Sequence, residues 1–193
     1  MAVRGSGGPI QFHLIRHPRT VAAPGVCYGS TDLALAEDPA GCARRIGALL
    51  PPDPLVISSP ASRCLQLARM LHSRPRIEPR LREIHFGDWE MQAYGRLARE
   101  AIDAWATDPL EFRPPQGETA SEMLLRVRAA TEEILELEYT TIAIVAHGGP
   151  LRAMAGVLLG LATQDWLNLR FDFGRITCID VTTSAARLVG SNR

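Results

Sequence analysis

A chain of 193 residues, 46% hydrophobic, with 21 basic and 21 acidic side chains, has the size and make-up of one ordinary globular domain, and residues 1–193 are read as a single unit. Its zero net charge argues against a broad electrostatic footprint for nucleic acid or an anionic membrane, while leaving room for a local cationic pocket. No apolar window is long enough to span a bilayer and the N-terminus carries no sustained apolar run of a signal peptide, so the cytoplasm is the expected location. Cys27, Cys42, Cys64 and Cys178 are scattered without a C-x-x-C pair, which fits small core residues better than a disulfide framework or a zinc site.

In chain order, Ile10 to Ile15 predicts a strand that runs into Arg16-His17 and stops at Pro18, followed by a Gly- and Pro-rich loop to about Asp32. Asp38 to Leu50 has helical composition, with Pro39 near its start where proline is tolerated. Pro54 to Pro60 predicts a short buried strand ending in Ser58-Ser59, and the next helix places Leu65, Ala68 and Leu71 on one face. Arg76 to Glu78 is a candidate short strand. Helices are expected over Ala93 to Ala106 and Thr119 to Leu137, the second opened by the capping box Thr119-x-x-Glu122. Thr140 to Pro150 holds the clearest strand, β-branched and apolar, which ends at His147 before Gly148-Gly149 and an apolar helix to about Leu161. Phe171 and Ile176 to Val181 predict a last strand or hairpin. Alternation of this kind argues for a three-layer αβα sandwich around a mainly parallel sheet, with ligands bound where the strand carboxyl ends meet the following loops. The Pro-rich 107–117 segment reads as a rim loop or lid joining two helices.

Three polar clusters fall on that carboxyl edge: Arg16-His17, Ser58-Ser59 with Arg63, and His147-Gly148-Gly149. Two imidazoles and two guanidiniums suit a phosphate dianion, because arginine forks match its oxygens and helix amino ends add partial positive charge. Histidine can also be a covalent nucleophile, and phosphoryl transfer asks the protein chiefly to align the reactants and neutralise the equatorial oxygens. The leaving alkoxide needs an acid. The segment 80–90, "RLREIHFGDWE", offers Glu83, Asp88 and Glu90, and a carboxyl beside a phosphate dianion keeps its proton near neutrality. Spacing does not choose among the three. His13, alternating with core positions of the first strand, and His72 and His85 read as structural.

The segments "LIRHPRT", "SSPASRCLQLA", "LREIHFGDWE" and "VAHGGPLRAM" resemble, in order, the four signature segments of the histidine phosphatase superfamily, also called phosphoglycerate mutase-like. "GVCYGSTDLAL" and "AIDAWATDPLEFRPPQGET" are most similar to its α-ribazole 5′-phosphate phosphatase branch, which serves cobalamin nucleotide-loop assembly. The resemblance implies a phosphoglycerate mutase-like fold and a phosphomonoesterase working through phosphohistidine without metal or organic cofactor. It assigns His17 as nucleophile, Glu83 as proton donor and His147 as the second pocket histidine. It assigns Arg16 and Arg63 to phosphate, with Thr20 and Gly148 as further motif positions; Gly29 and Thr31 of "YGSTD" are candidates for the substrate's outer contacts. The chain departs from the family in three places, one being that the W-N some members carry after the first motif is absent. Pro18 stands where the first motif has glycine, deleting a backbone N–H and fixing φ, and Met91 replaces the glycine of "W-E-G". A small phosphorylated substrate is the expected partner, and a homodimer is compatible with the sequence. A sugar or nucleotide phosphatase, a phosphoglycerate mutase, and a weakened member that binds phosphorylated ligands without turnover are the alternatives.

Overall fold

The computed structural model describes residues 8–193; the expectation for the first seven residues lies outside them. Six strands form one sheet in the order β3-β2-β4-β1-β5-β6. These are β1 (Ile10–Arg16), β2 (Leu55–Ser58), β3 (Arg76–Ile77), β4 (Thr141–Ala146), β5 (Ile176–Val181) and β6 (Ala186–Gly190). β1, β2, β3 and β4 pair in parallel, and β5 and β6 add an antiparallel edge. The helices are α1 (Ala40–Gly47), α2 (Ser62–Leu71), α3 (Arg99–Thr107), α4 (Ala120–Leu135), α5 (Gly148–Leu159) and α6 (Thr163–Trp166).

Two separate cores make the sandwich. Side chains alternate across a strand: Phe12, Leu14, Ile57, Ile142 and Ile144 face α4 and α5, with Val127, Ala130, Leu151 and Met154 packed on them. Ile15, Val56, Ala143 and Val145 face the other way, against Ala43 and Ile46 of α1 and Cys64, Leu67 and Ala68 of α2. His13 alternates with this pattern and is buried, its Nδ1 3.4 Å from Cys178 Sγ. α4 begins with the expected capping box: Thr119 Oγ1 accepts from the Glu122 amide, and the Glu122 carboxylate accepts from the Thr119 amide at 2.9 Å. α5 runs close enough to α6 that a Cβ on Gly156 would collide with the Trp166 indole.

Two expectations change and one element is new. The helix expected from Ala93 is a 3₁₀ turn over Tyr94–Arg96, then extended backbone at Leu97 and Ala98, and only then α3. Tyr94 folds back to stack on Trp105 of α3, ring centroids 6.2 Å apart, a tertiary contact that local propensity does not encode. Phe171 lies in the loop before β5 rather than in a strand, and α6 was not anticipated. The 107–117 segment is docked: Phe112 packs on the buried Trp89 at 5.1 Å, and the Asp88 and Ser121 amides donate to Pro115 O and Leu110 O.

Candidate active site

The parallel register brings the chemistry to one edge. Arg16 is level with Ala146 and Ser58 with Val145. Just beyond the ladder, the His17 amide donates to Ala146 O (3.1 Å) and the Ser59 amide to Val145 O (2.9 Å). Three strand ends are thereby laced together beside His147, which caps α5. His17 and His147, 130 positions apart in the chain, meet edge to face with ring centroids 5.1 Å apart. Neither imidazole is left at the surface, His17 being 2% exposed and His147 fully covered.

Each ring is oriented by a specific partner. His17 Nδ1 lies 2.7 Å from Pro18 O; a carbonyl only accepts, so Nδ1 carries the hydrogen and Nε2 keeps its lone pair. The proline that removes an amide from the first motif thus retains the carbonyl that sets the tautomer. Burial first, and then the neighbouring Arg63 and Arg16 charges, pull the His17 pKa down to about 3 against the partial support of the Pro18 carbonyl. His147 Nδ1 accepts from Arg63 Nε at 3.3 Å and its Nε2 faces Ser59 Oγ at 2.8 Å. Burial, then His17 and the surrounding arginines, depresses its pKa as well. Both imidazoles are therefore neutral at physiological pH.

Arg63, on the first turn of α2, is 1% exposed. Its guanidinium donates to Gly29 O (2.6 Å) and Thr31 O (2.7 Å) and lies 3.5 Å from the Asp32 carboxylate. Asp32 also accepts from the Ser62 amide and hydroxyl, holding the start of α2. Gly29 and Thr31, expected at the substrate, therefore act one step back, as the carbonyls that aim Arg63. Thr20 pairs with Leu35 in an isolated β-bridge, and its hydroxyl accepts from the Ala22 amide. None of these three lines the cavity described below. Arg16 donates to Phe171 O at 2.7 Å and its guanidinium carbon sits 3.6 Å from the Phe173 ring centroid.

The three candidate acids separate by geometry. Glu90 is fully engaged: its carboxylate accepts from the amides of Ser30, Thr31 and Phe86 and from both hydroxyls of Ser30 and Thr31. Burial alone would raise its pKa, yet these donors, Thr31 and Ser30 foremost, bring it down to about 2. It is a loop clasp. Asp88 is exposed. Glu83 lines a cavity of about 190 Å³ together with Arg63, His147, Ser30, Asp32, Pro60, Ala61 and Arg82. Its carboxylate accepts from the Gly149 amide at 3.3 Å, at the amino end of α5, and a Cβ on Gly149 would stand 2.5 Å from Glu83 Oε1. The glycine is what lets the acid approach the helix terminus. The loop carrying Glu83 is fastened from behind by Arg126 of α4, which donates to Arg80 O (2.6 Å), Arg82 O (2.7 Å) and Glu83 O (3.3 Å) and pairs with Glu118 at 2.6 Å. Arg126 was legible in principle, as a cation three residues after Met123 and four before Ala130 beside the buried stripe of α4. The roles of Asp32 and Phe173 had no such signal.

Two neutral imidazoles, two guanidiniums, a helix amino end and the Glu83 carboxylate can together hold a phosphate and move one proton. The model of the family described as the histidine phosphatase superfamily, branch 1, matches residues 12–193. The adenosylcobalamin/alpha-ribazole phosphatase of Salmonella typhimurium is 30% identical over 190 residues, covering 93% of this chain and 94% of that protein. A relative from Hydrogenobacter thermophilus, provisionally named phosphoserine phosphatase 2, is 30% identical over 146 residues, 72% of each chain. The crystal structure of the alpha-ribazole phosphatase from Shigella flexneri superposes with a TM-score of 0.87 at 29% identity, covering 95% of this chain and 96% of that one.

Proposed function

The chain belongs to the histidine phosphatase superfamily, and from that premise we propose that it is a phosphomonoesterase in which His17 is transiently phosphorylated, with α-ribazole 5′-phosphate as its substrate. The observation that carries the reading is the His17–His147 contact at 5.1 Å between two cationic side chains and beside Glu83. His17 Nε2, whose lone pair is left free by the Pro18 contact, attacks phosphorus; the N–P bond forms as the P–O ester bond breaks. Glu83 gives its proton to the departing alkoxide. Arg16, Arg63 and the Gly148 amide at the start of α5 balance the charge on the equatorial oxygens, while His147 holds Arg63 in line. In the second half-reaction water attacks phosphohistidine and gives a proton to the Glu83 carboxylate, and N–P cleavage returns a neutral imidazole and inorganic phosphate.

Support for the ribazole substrate comes from the names of the Salmonella and Shigella proteins and from a cavity lining whose Ser30 and Asp32 can bond the hydroxyls of a ribosyl leaving group. A second reading, O-phosphoserine, is favoured by the opposite charges of Asp32 and Arg82 in that lining, which match an ammonium and a carboxylate, and by the Hydrogenobacter relative. The four free cysteines fit a reducing compartment, the cytoplasm.

The test has two parts. Rapid-quench labelling with a ³²P aryl ester should trap an acid-labile phosphoprotein that His17→Ala abolishes; labelling that survives this change would refute the nucleophile. Phosphate release should then be compared across α-ribazole 5′-phosphate, O-phosphoserine, sugar phosphates, nucleotides and 3-phosphoglycerate. A kcat/KM for α-ribazole 5′-phosphate no higher than for the others would remove the cobalamin reading.

A further inference from the structure

We propose that Phe173, outside all four signature segments, is a positioning residue that fixes the plane and reach of Arg16, so that phosphate meets a guanidinium already set for two-pronged binding. This rests on the phosphate-binding role proposed for Arg16.

Arg16 is the less constrained of the two site arginines. Arg63 is held by two carbonyls, a histidine and a carboxylate. Arg16 has one side-chain hydrogen bond, from Nη1 to Phe171 O at 2.7 Å, its buried Nε has no partner, and among the described residues no carboxylate pairs with it within salt-bridge distance. A single hydrogen bond leaves a long side chain free to rotate about it. The remaining constraint is the Phe173 ring, 3.6 Å from the guanidinium carbon, close enough to fix the orientation of the planar cation. Gly148 closes on the same group from α5, since a Cβ there would stand 3.4 Å from the guanidinium carbon. The ring also abuts the His17 imidazole, centroids 5.4 Å apart, so it registers the nucleophile against the arginine.

The ring's own segment is fixed before any ligand arrives. Asn192 Oδ1 accepts from the Asp172 amide (2.8 Å) while its amide nitrogen donates to Arg170 O (3.0 Å). On the far side of the ring the Gly174 amide donates to Arg16 O and Arg45 donates to Gly174 O at 2.7 Å. Phe171 O and the Phe173 face are therefore presented together by a segment tied at both ends.

The experiment separates the face of the ring from its bulk. Phe173→Leu retains apolar volume without a π face, whereas Phe173→Tyr retains both. With p-nitrophenyl phosphate as substrate and orthovanadate as inhibitor, Phe173→Leu is expected to raise KM and Ki together by about 10-fold, the size of one partly desolvated cation–π contact, with kcat within about 3-fold. Phe173→Tyr is expected to stay within about 2-fold of the parent, and in an Arg16→Lys background Phe173→Leu should add less than about 2-fold. If Phe173→Leu fails to give native near-ultraviolet circular dichroism, Phe173→Met is read in its place. Parental KM and Ki in the leucine variant, faster turnover, or losses that multiply with Arg16→Lys would overturn the proposal. An Arg16→Lys protein with unchanged KM and Ki would instead strike at the phosphate-binding role of Arg16 itself.

Discussion

Gly149→Ala should separate activity from stability. The backbone at Gly149 is not in the left-handed region, so alanine fits the second position of α5, and replacing glycine there gains helix propensity of about 0.5 kcal/mol. At roughly 2–4 °C per kcal/mol for a chain of this size, Tm should hold or rise by about 1–2 °C. The new Cβ, however, would stand 2.5 Å from Glu83 Oε1 and 3.4 Å from Met123 Cε. Ordinary carbon contacts need about 3.5 Å, so the carboxylate must retreat by about 1 Å, and its bond from the Gly149 amide goes with it. A displacement of that size costs on the order of 100-fold when the group must meet a reacting atom. We expect kcat/KM for an alkyl phosphate to fall by about 10–100-fold, and that for a dinitrophenyl ester, whose leaving group needs no proton, by less than about 3-fold. Glu83→Gln, measured in parallel, should show the same dependence on leaving group, and differential scanning fluorimetry supplies Tm. Equal losses on both esters, or none on the alkyl ester, would refute the placement of the acid against the helix terminus.

Arg126→Met removes the donor shared by Arg80 O, Arg82 O and Glu83 O. The loss should be about 2–4 kcal/mol, seen as a fall in Tm of about 5–15 °C, with slower turnover of alkyl esters; an unchanged Tm would show that the loop stands without it. With its folded pKa near 3, His17 should show no NMR titration step between pH 5 and 8, and a midpoint near 6.5 would contradict its burial. The unfolded chain binds protons at His17 and His147 below about 6.5 while the folded chain resists, so stability is full above that pH and drops as pH falls below it, for His17 down to about pH 3, by at most about 1.4 kcal/mol per pH unit per histidine. Glu90, whose folded pKa is near 2, adds a loss of the same sign below about pH 4.5. Denaturant titrations at pH 7, 6 and 5 measure this, and a flat profile would count against both buried imidazoles.

Some of this is local enough to be read directly from the chain. Ile10 to Ile15 and Thr140 to Ala146 are apolar runs that stop at a charged or polar residue, because a buried strand can carry functional groups only where it leaves the sheet. The alternation of such runs with helical segments implies parallel pairing, and parallel pairing implies that Arg16-His17, Ser59 and His147 emerge on one edge. The Thr119–Glu122 box is equally local, since both partners lie within one helical turn. The helix expected from Ala93 failed for the opposite reason, because Tyr94 takes its conformation from Trp105 across the loop.

Residue type, order along the chain and hydrophobic period thus determined the sheet, the edge and the groups on it, all properties of a few neighbouring residues. Which carboxylate of residues 80–90 faces the cavity is not set by any local pattern, although the family resemblance pointed to Glu83: Glu83 and Glu90 are the same residue type in one short segment, and only folding brings Ser30, Thr31 and Phe86 onto Glu90 and leaves Glu83 beside the Gly149 amide. The same holds for the carbonyls of Gly29 and Thr31 that aim Arg63, for the Arg126 fork behind the acid, and for the ring of Phe173 on Arg16. Each depends on a contact between residues far apart in sequence, whose direction is set by how the layers stack and not by the pattern of either partner.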